Sequence, residues 1–246
     1  MSEMAGFGGR SAHFMVGAGR PIPQVQDAAA RYRDQQGMGM SAQRDFSHVT
    51  VDPVVARHVA SLYEQAPDFS HEALPSFRAM RDETMRQHDF MTSPRGLGLT
   101  HEVTPHDPYV NAQGGPDHAG MMRDVAQGRI KSMATATTGS HPFLSDDEND
   151  AFRAVHDVFG HAGTGRDFSR HGEEAAWQAH RTMFTPAARP ALTTETRGQN
   201  SALNYGSNPG TFAPQKVALL GSGAQLVGRR SLHRALGRQF QPLAVA

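Results

Sequence analysis

Apolar positions recur at three- and four-residue spacing from Asp52 onward. Val54, Val55, Val59, Leu62 and Tyr63 share this rhythm with His58, and Pro53 stands where a first helical turn tolerates proline. A second helical pattern runs from Pro75 to about Phe90, with Phe77, Met80, Thr84, Met85 and His88 on one side. Both read as helices packed on a core. Residues 93–118 hold Pro, Gly, His and Asp without periodicity and read as an ordered loop region. Gly120–Gln127 reads as a short helix, Arg129–Thr135 alternates like a short strand, and Gly139–Phe143 turns the chain.

The clearest element follows. Ser145 with Glu148 three positions on makes a capping box, and Asp146 and Asp147 suit the positive end of a helix dipole. Phe152, Val155 and Phe159 form the apolar stripe, and Gly163 is a natural stop. A further helix is expected over about Phe168–Phe184, before Pro186 and Pro190, and another from Thr193 to Leu203. The pattern predicts a mainly helical α+β fold in a single domain over residues 47–220. Residues 1–46, rich in Gly, Met, Gln and Arg, read as a flexible arm in which Ala28–Arg33 could turn a short helix. Residues 221–246, with Arg229, Arg230, Arg234 and Arg238, read as a basic helix or tail. No internal repeat is visible.

Composition narrows the chemistry. With no cysteine among 246 residues, disulfides, zinc–thiolate sites, iron–sulfur clusters and thiol catalysis are excluded, so a metal would be held by His and carboxylate. The formal net charge is zero, which makes no global case for nucleic-acid or anionic-membrane binding, the four C-terminal arginines excepted. Neither a membrane-length apolar run nor a signal pattern over Met1–Arg20 is present, and a soluble cytoplasmic protein is expected.

The chemistry concentrates between Ser145 and Ser201. His156-Asp157-Val158-Phe159-Gly160-His161 places two imidazoles five residues apart, and Thr194-Glu195-Thr196-Arg197-Gly198-Gln199-Asn200-Ser201 adds a later carboxylate. Two His and one carboxylate form the facial triad of non-haem Fe(II) oxygenases. On a regular helix, five residues are a rotation of roughly 140°, so both rings reach one ion only if the helix loosens or ends near Gly160.

The His-Asp-x-x-Gly-His run resembles the iron-binding helix of the pterin-dependent aromatic amino acid hydroxylases. The strand-like Arg129–Thr138, Gly139-Ser140-His141-Pro142 and the acidic helix start before it follow that family's order. The likeness spans roughly residues 120–200. It implies His156 and His161 as imidazole ligands, Glu195 as the carboxylate, Fe(II) as the metal, O2 and a small organic substrate as partners, and tetrahydropterin as a reductant. The chain departs from that family around Glu195, where an aromatic-rich helix is replaced. As a whole the pattern is similar to that of phage or mobile-element proteins.

Around this triad, Asp157 and Glu174 are expected to accept the free imidazole N–H bonds, Arg197 to pair with a substrate anion, and Gln199 and Asn200 to bind substrate. Glu173 and Glu174 are the substitutes for Glu195, which could instead pair with Arg197. His180 reads as a packed or supporting residue. Two rival readings stay open. His156-Asp157 could instead be the dyad of an HD-type phosphohydrolase, with His161 four residues from Asp157 on one helix face and His118, His141 or Asp167 to complete the site. The histidines could also be structural, in a non-enzymatic phage structural or assembly protein.

Overall fold

In the computed structural model, which describes residues 19–39 and 43–228, the first element is the helix α1 (Pro23–Gln35). It begins at a proline and buries Val25, Ala28 and Tyr32 in the main apolar cluster, where they pack with Val155, Val158 and Phe159. The Ile22 amide donates to the Ala162 carbonyl at 3.0 Å, tying the start of α1 to the candidate site. The expectation of an arm over residues 1–46 therefore fails for this stretch. Its few apolar residues, spaced three and four apart, are enough to dock one face. Residues 1–18 of that arm, and Arg229, Arg230, Arg234 and Arg238 of the basic tail, lie outside the described residues.

Helix α2 (Pro53–Gln65) starts at Asp52, whose carboxylate accepts from the Val54 amide at 2.9 Å, and buries Val55, Val59 and Tyr63. In α3 (Leu74–Thr92) the buried stripe is Phe77, Met80, Thr84, Gln87 and Met91. A glutamine thus sits in an otherwise mostly apolar row. Strand β1 (Thr100–Thr104) falls inside the stretch read as loop and pairs in parallel with β2 (Arg129–Met133), in the register Thr100 to Arg129 through Thr104 to Met133. The helix α4 (His118–Ala126) makes the crossover between them. Little apolar surface of β1 is buried, which is why periodicity missed it.

The short α5 (Thr135–Thr138) leads to α6 (Asp146–His156), whose capping box forms as expected: Ser145 Oγ accepts from the Glu148 amide, and Glu148 Oε2 accepts from the Ser145 amide at 2.8 Å. A π-helical segment, Asp157–Ala162, continues α6 without a break. Then come α7 (Arg170–His180), α8 (Arg189–Thr193), a second π-helical segment Thr194–Gly198, and α9 (Gln199–Tyr205). The result is a mainly helical α+β fold with a two-stranded sheet. Among the described residues no helix is long and apolar enough to cross a membrane.

Helix α7 is the organiser. It packs against both π segments, and its Trp177 is completely buried with its indole N–H donating to Thr193 Oγ1 at 3.3 Å. Two guanidiniums stack on that indole, Arg197 at 4.1 Å and Arg181 at 4.6 Å from the ring centroid.

Candidate metal centre

The five-residue spacing of His156 and His161 is resolved by the π segment. An α-helix would turn the two rings to different faces, whereas i→i+5 hydrogen bonding widens the coil and brings positions five apart nearly into line. Gly160 permits this at a crowded point. A Cβ there would stand 3.0 Å from the Ala176 Cβ, so the missing side chain lets α7 approach closely. The hydroxyl of Thr164 donates to the Gly160 carbonyl at 2.6 Å, and the Gly165 amide to the His161 carbonyl at 2.8 Å. These bonds satisfy carbonyls at the end of the widened turn.

Glu173, in the first turn of α7, completes the cluster. His156, His161 and Glu173 each turn one ligand atom inward, all within 4.8 Å of one another. His156 Nε2 lies 3.5 Å from Glu173 Oε2, and His161 Nε2 lies 3.4 Å from Glu173 Oε1. Charge-assisted hydrogen bonds are usually about 2.7–2.9 Å long, so the groups stand around a gap rather than closing on each other. His161 Nε2 is fully buried and makes no hydrogen bond. The site opens on one side: the His156 and Glu173 side chains are 12% and 22% exposed, His161 only 1%.

The surrounding bonds assign the tautomers. Gln87 Nε2 donates to the Met183 carbonyl at 3.0 Å, which turns Gln87 Oε1 toward His180 Nε2 at 2.8 Å. His180 Nε2 therefore carries the proton and its Nδ1 is an acceptor, facing His156 Nδ1 at 3.3 Å. His156 donates from Nδ1 and keeps a lone pair on Nε2. On the other ring, His161 Nδ1 donates to the Arg166 carbonyl at 2.9 Å, leaving its Nε2 lone pair directed at Glu173. Arg166 is itself anchored by its guanidinium, which donates to the carbonyls of Phe46, Ser47 and Val49. Both imidazoles thus present Nε2 as a metal ligand does, with Nδ1–H held by an outer partner. The residues fit a divalent first-row ion.

Without a bound cation, a proton competes for the same His161 Nε2 position. Burial opposes a charged His161, but the Glu173 carboxylate outweighs it and lifts the imidazole to about 9. Burial would raise Glu173, yet His161 and His156 hold it well below the usual carboxylate range. Burial drives His180 well below its ordinary value, helped by His156 and His161, so it stays neutral and able to accept. Asp157 is raised to about 6 by burial, against the pull of His161 and His156.

Several expected roles move. Glu195 is not the third member of the cluster. Its Oε1 lies 3.0 Å from His141 Nε2, both side chains almost fully buried, and its Oε2 accepts from Gln199 Nε2 at 2.9 Å. Two residues along a helix are roughly 200° apart, and Arg197 faces α7, so Glu195 is turned away from it. Arg197 is not free for a substrate. It holds Glu174 bidentately, at 2.8 Å from Nε and from Nη2, and donates to the carbonyls of Ala224 and Leu226. Glu174 is therefore not a partner of an imidazole, and neither is Asp157; His180 and the Arg166 carbonyl do that work. Asn200 borders a small recess with Glu173, Arg170 and Tyr205, while Gln199 is engaged with Glu195. Of the residues that could have completed a phosphohydrolase, His118 stacks edge-on against Phe168, which also meets His161. His141 is bound to Glu195, and Asp167 accepts from Ser169.

Sequence offered a signal for Glu173 that spacing alone could reveal. Glu173 and His180 are seven apart, two turns of α7, and both meet His156 from the same face. Gln87 gave a weaker one, as a fully buried amide on the inner side of α3. Neither the chain nor any part of it matches a protein-family model, a curated protein or a solved structure.

Proposed function

We propose that the chain is a mononuclear non-haem iron enzyme, in which His156, His161 and Glu173 hold one Fe(II) and a small organic substrate is hydroxylated with O2. One observation carries the reading: two imidazoles, each held at Nδ1 by an outer partner, turn Nε2 toward a single carboxylate at 3.4–3.5 Å, long for charge-assisted hydrogen bonds. When bound, the ion would supply O2 activation at the positions that three facial ligands leave open. The chain's own part is to orient and exclude. The line Met183 carbonyl, Gln87, His180, His156 fixes one ring, Arg166 fixes the other, and Phe159, Phe168 and Phe184 keep the inner side dry. Substrate would approach over the exposed edges of His156 and Glu173. Because the carboxylate of the cluster is Glu173 rather than Asp157, the oxygenase reading is favoured over the phosphohydrolase one.

The test begins with metal. Protein reconstituted anaerobically with Fe(II) should retain about one iron per chain. Glu173→Gln and His161→Ala should lose it, whereas Glu195→Gln should keep it. Loaded protein should consume O2 when a reductant is supplied, tetrahydropterin being the first to try, and should leave nucleotides unhydrolysed. Failure of the pure wild-type protein to hold iron would overturn the proposal, and nucleotide hydrolysis without O2 uptake would replace it with the hydrolytic reading.

A further inference from the structure

A second site is marked by an arginine with too few partners. Arg33, near the end of α1, is only 8% exposed. Its Nη1 donates to Thr182 Oγ1 at a long 3.3 Å, and its Nε is fully buried with no partner. Other buried arginines are provided for. Arg166, whose Nε is likewise unbonded, still donates to three carbonyls, and Arg197 has Glu174 and two carbonyls, against the single long bond of Arg33. Among the described residues Arg33 has no ion pair, and the charge that bears on it is another cation: burial and then Arg44 hold its guanidinium below its usual range. A buried cation without an anion is strongly disfavoured, and its natural complement is an oxyanion taken two oxygens at a time.

The space for one is present. Arg33 lines a small recess, partly open to solvent, between α1, the first π segment and the turn after α7. Gln43 and Arg44 stand at its rim. Arg44 touches Asp27 at 3.1 Å, but both side chains are 56% exposed, so water and salt weaken that pair and leave Arg44 free to turn inward. The chain itself has little to offer as occupant. Outside the described residues it contains a single acidic side chain, Glu3.

We propose that this recess binds a small oxyanion, a phosphate or carboxylate group, held by Arg33 from within and by Arg44 from the rim. It does not depend on the metal centre, and metal-free protein suffices to test it. Thermal unfolding is followed in chloride at constant ionic strength while inorganic phosphate is titrated in one arm and acetate in the other. One of the two should give a saturable rise of about 2–4 °C beyond chloride, and which one does names the source. Arg33→Met, close in volume and uncharged, should abolish the rise without lowering the melting temperature in chloride alone. If Arg33→Met does not fold, Arg44→Met should raise the apparent Kd about tenfold. A rise that survives both substitutions, or none in either arm, would overturn the proposal. So would coupling between Glu3→Gln and Arg33→Met in chloride, since Glu3 would then be the occupant.

Discussion

The two π-helical segments make opposite use of the same irregularity. Both lie against α7, and the adjacent residues Glu173 and Glu174, about 100° apart on that helix, face one each. At Thr194–Gly198 the charge facing α7 is met: Arg197 takes both oxygens of Glu174 and two carbonyls, with the Trp177 ring beneath it. At Asp157–Ala162 the demand is left open, with His161 Nε2 buried and unbonded and Glu173 standing off at 3.4 Å. A satisfied π segment is a joint. An unsatisfied one, supported on every side except the centre, is a site.

The comparison can be broken most forcefully at the closed end. Arg197→Met should destabilise the protein by about 3–5 kcal/mol in urea unfolding, because it strands a buried carboxylate. Adding Glu174→Met should restore much of that loss. Neither change should alter iron stoichiometry in whatever protein stays folded; a loss there would mean the two segments are one unit.

At the open end, the outer support can be removed while the ligands stay. Gln87→Met frees His180 from its fixed tautomer and should weaken metal affinity about 10–100-fold, read by competition with a chelator. Unchanged affinity would remove the Gln87–His180 line from the account.

A smaller effect is expected at Gly160. Alanine there brings a Cβ to 3.0 Å from Ala176 Cβ, tighter than ordinary packing. A loss of about 1 kcal/mol is expected, at the low end for overpacking, since a methyl can yield by a few tenths of an ångström. The displaced α7 carries Glu173, so iron affinity should fall as well.

The smallest effect sets the acid background against which both segments are read. His88 Nε2 and His101 Nδ1 meet at 3.0 Å, and His101 Nε2 meets Ser132 Oγ at 2.8 Å. Burial lowers both histidines, and His88 lowers His101 further. Their folded pKa values lie below the unfolded value near 6.5, so the unfolded chain binds protons first. The stability they contribute is complete above about pH 6.5 and declines as pH falls below it. In metal-free protein, His88→Gln should flatten the loss of unfolding free energy between pH 7 and pH 5. An equal slope in the variant would place the acid sensitivity elsewhere.

Much of this was readable along the chain. The capping box at Ser145, the apolar rows of α2 and α3, and the pair His156 and His161 follow from residue type and spacing, because local geometry fixes them. So does the need for a distortion between the two histidines, since a regular helix cannot align positions five apart. Strand β1 was missed because its burial is slight; of α1 only Ala28–Arg33 was read as a possible helix, because its short amphipathic face is hidden in a Gly- and Gln-rich segment. The carboxylate was misassigned because Glu173, Glu174 and Glu195 are alike in sequence. What separates them is the direction each leaves its helix and the partner it finds there.

The sequence by itself determined the two imidazoles, the helix that bears them and the absence of thiolate chemistry. Only the tertiary structure decided which acid joins them and which nitrogen each ring turns inward. Those choices depend on how α7 lies between two π segments, and on a glutamine, a histidine and a carbonyl brought from 69 residues upstream to 27 residues downstream of His156. Long-range packing of this kind leaves no periodic trace in the chain.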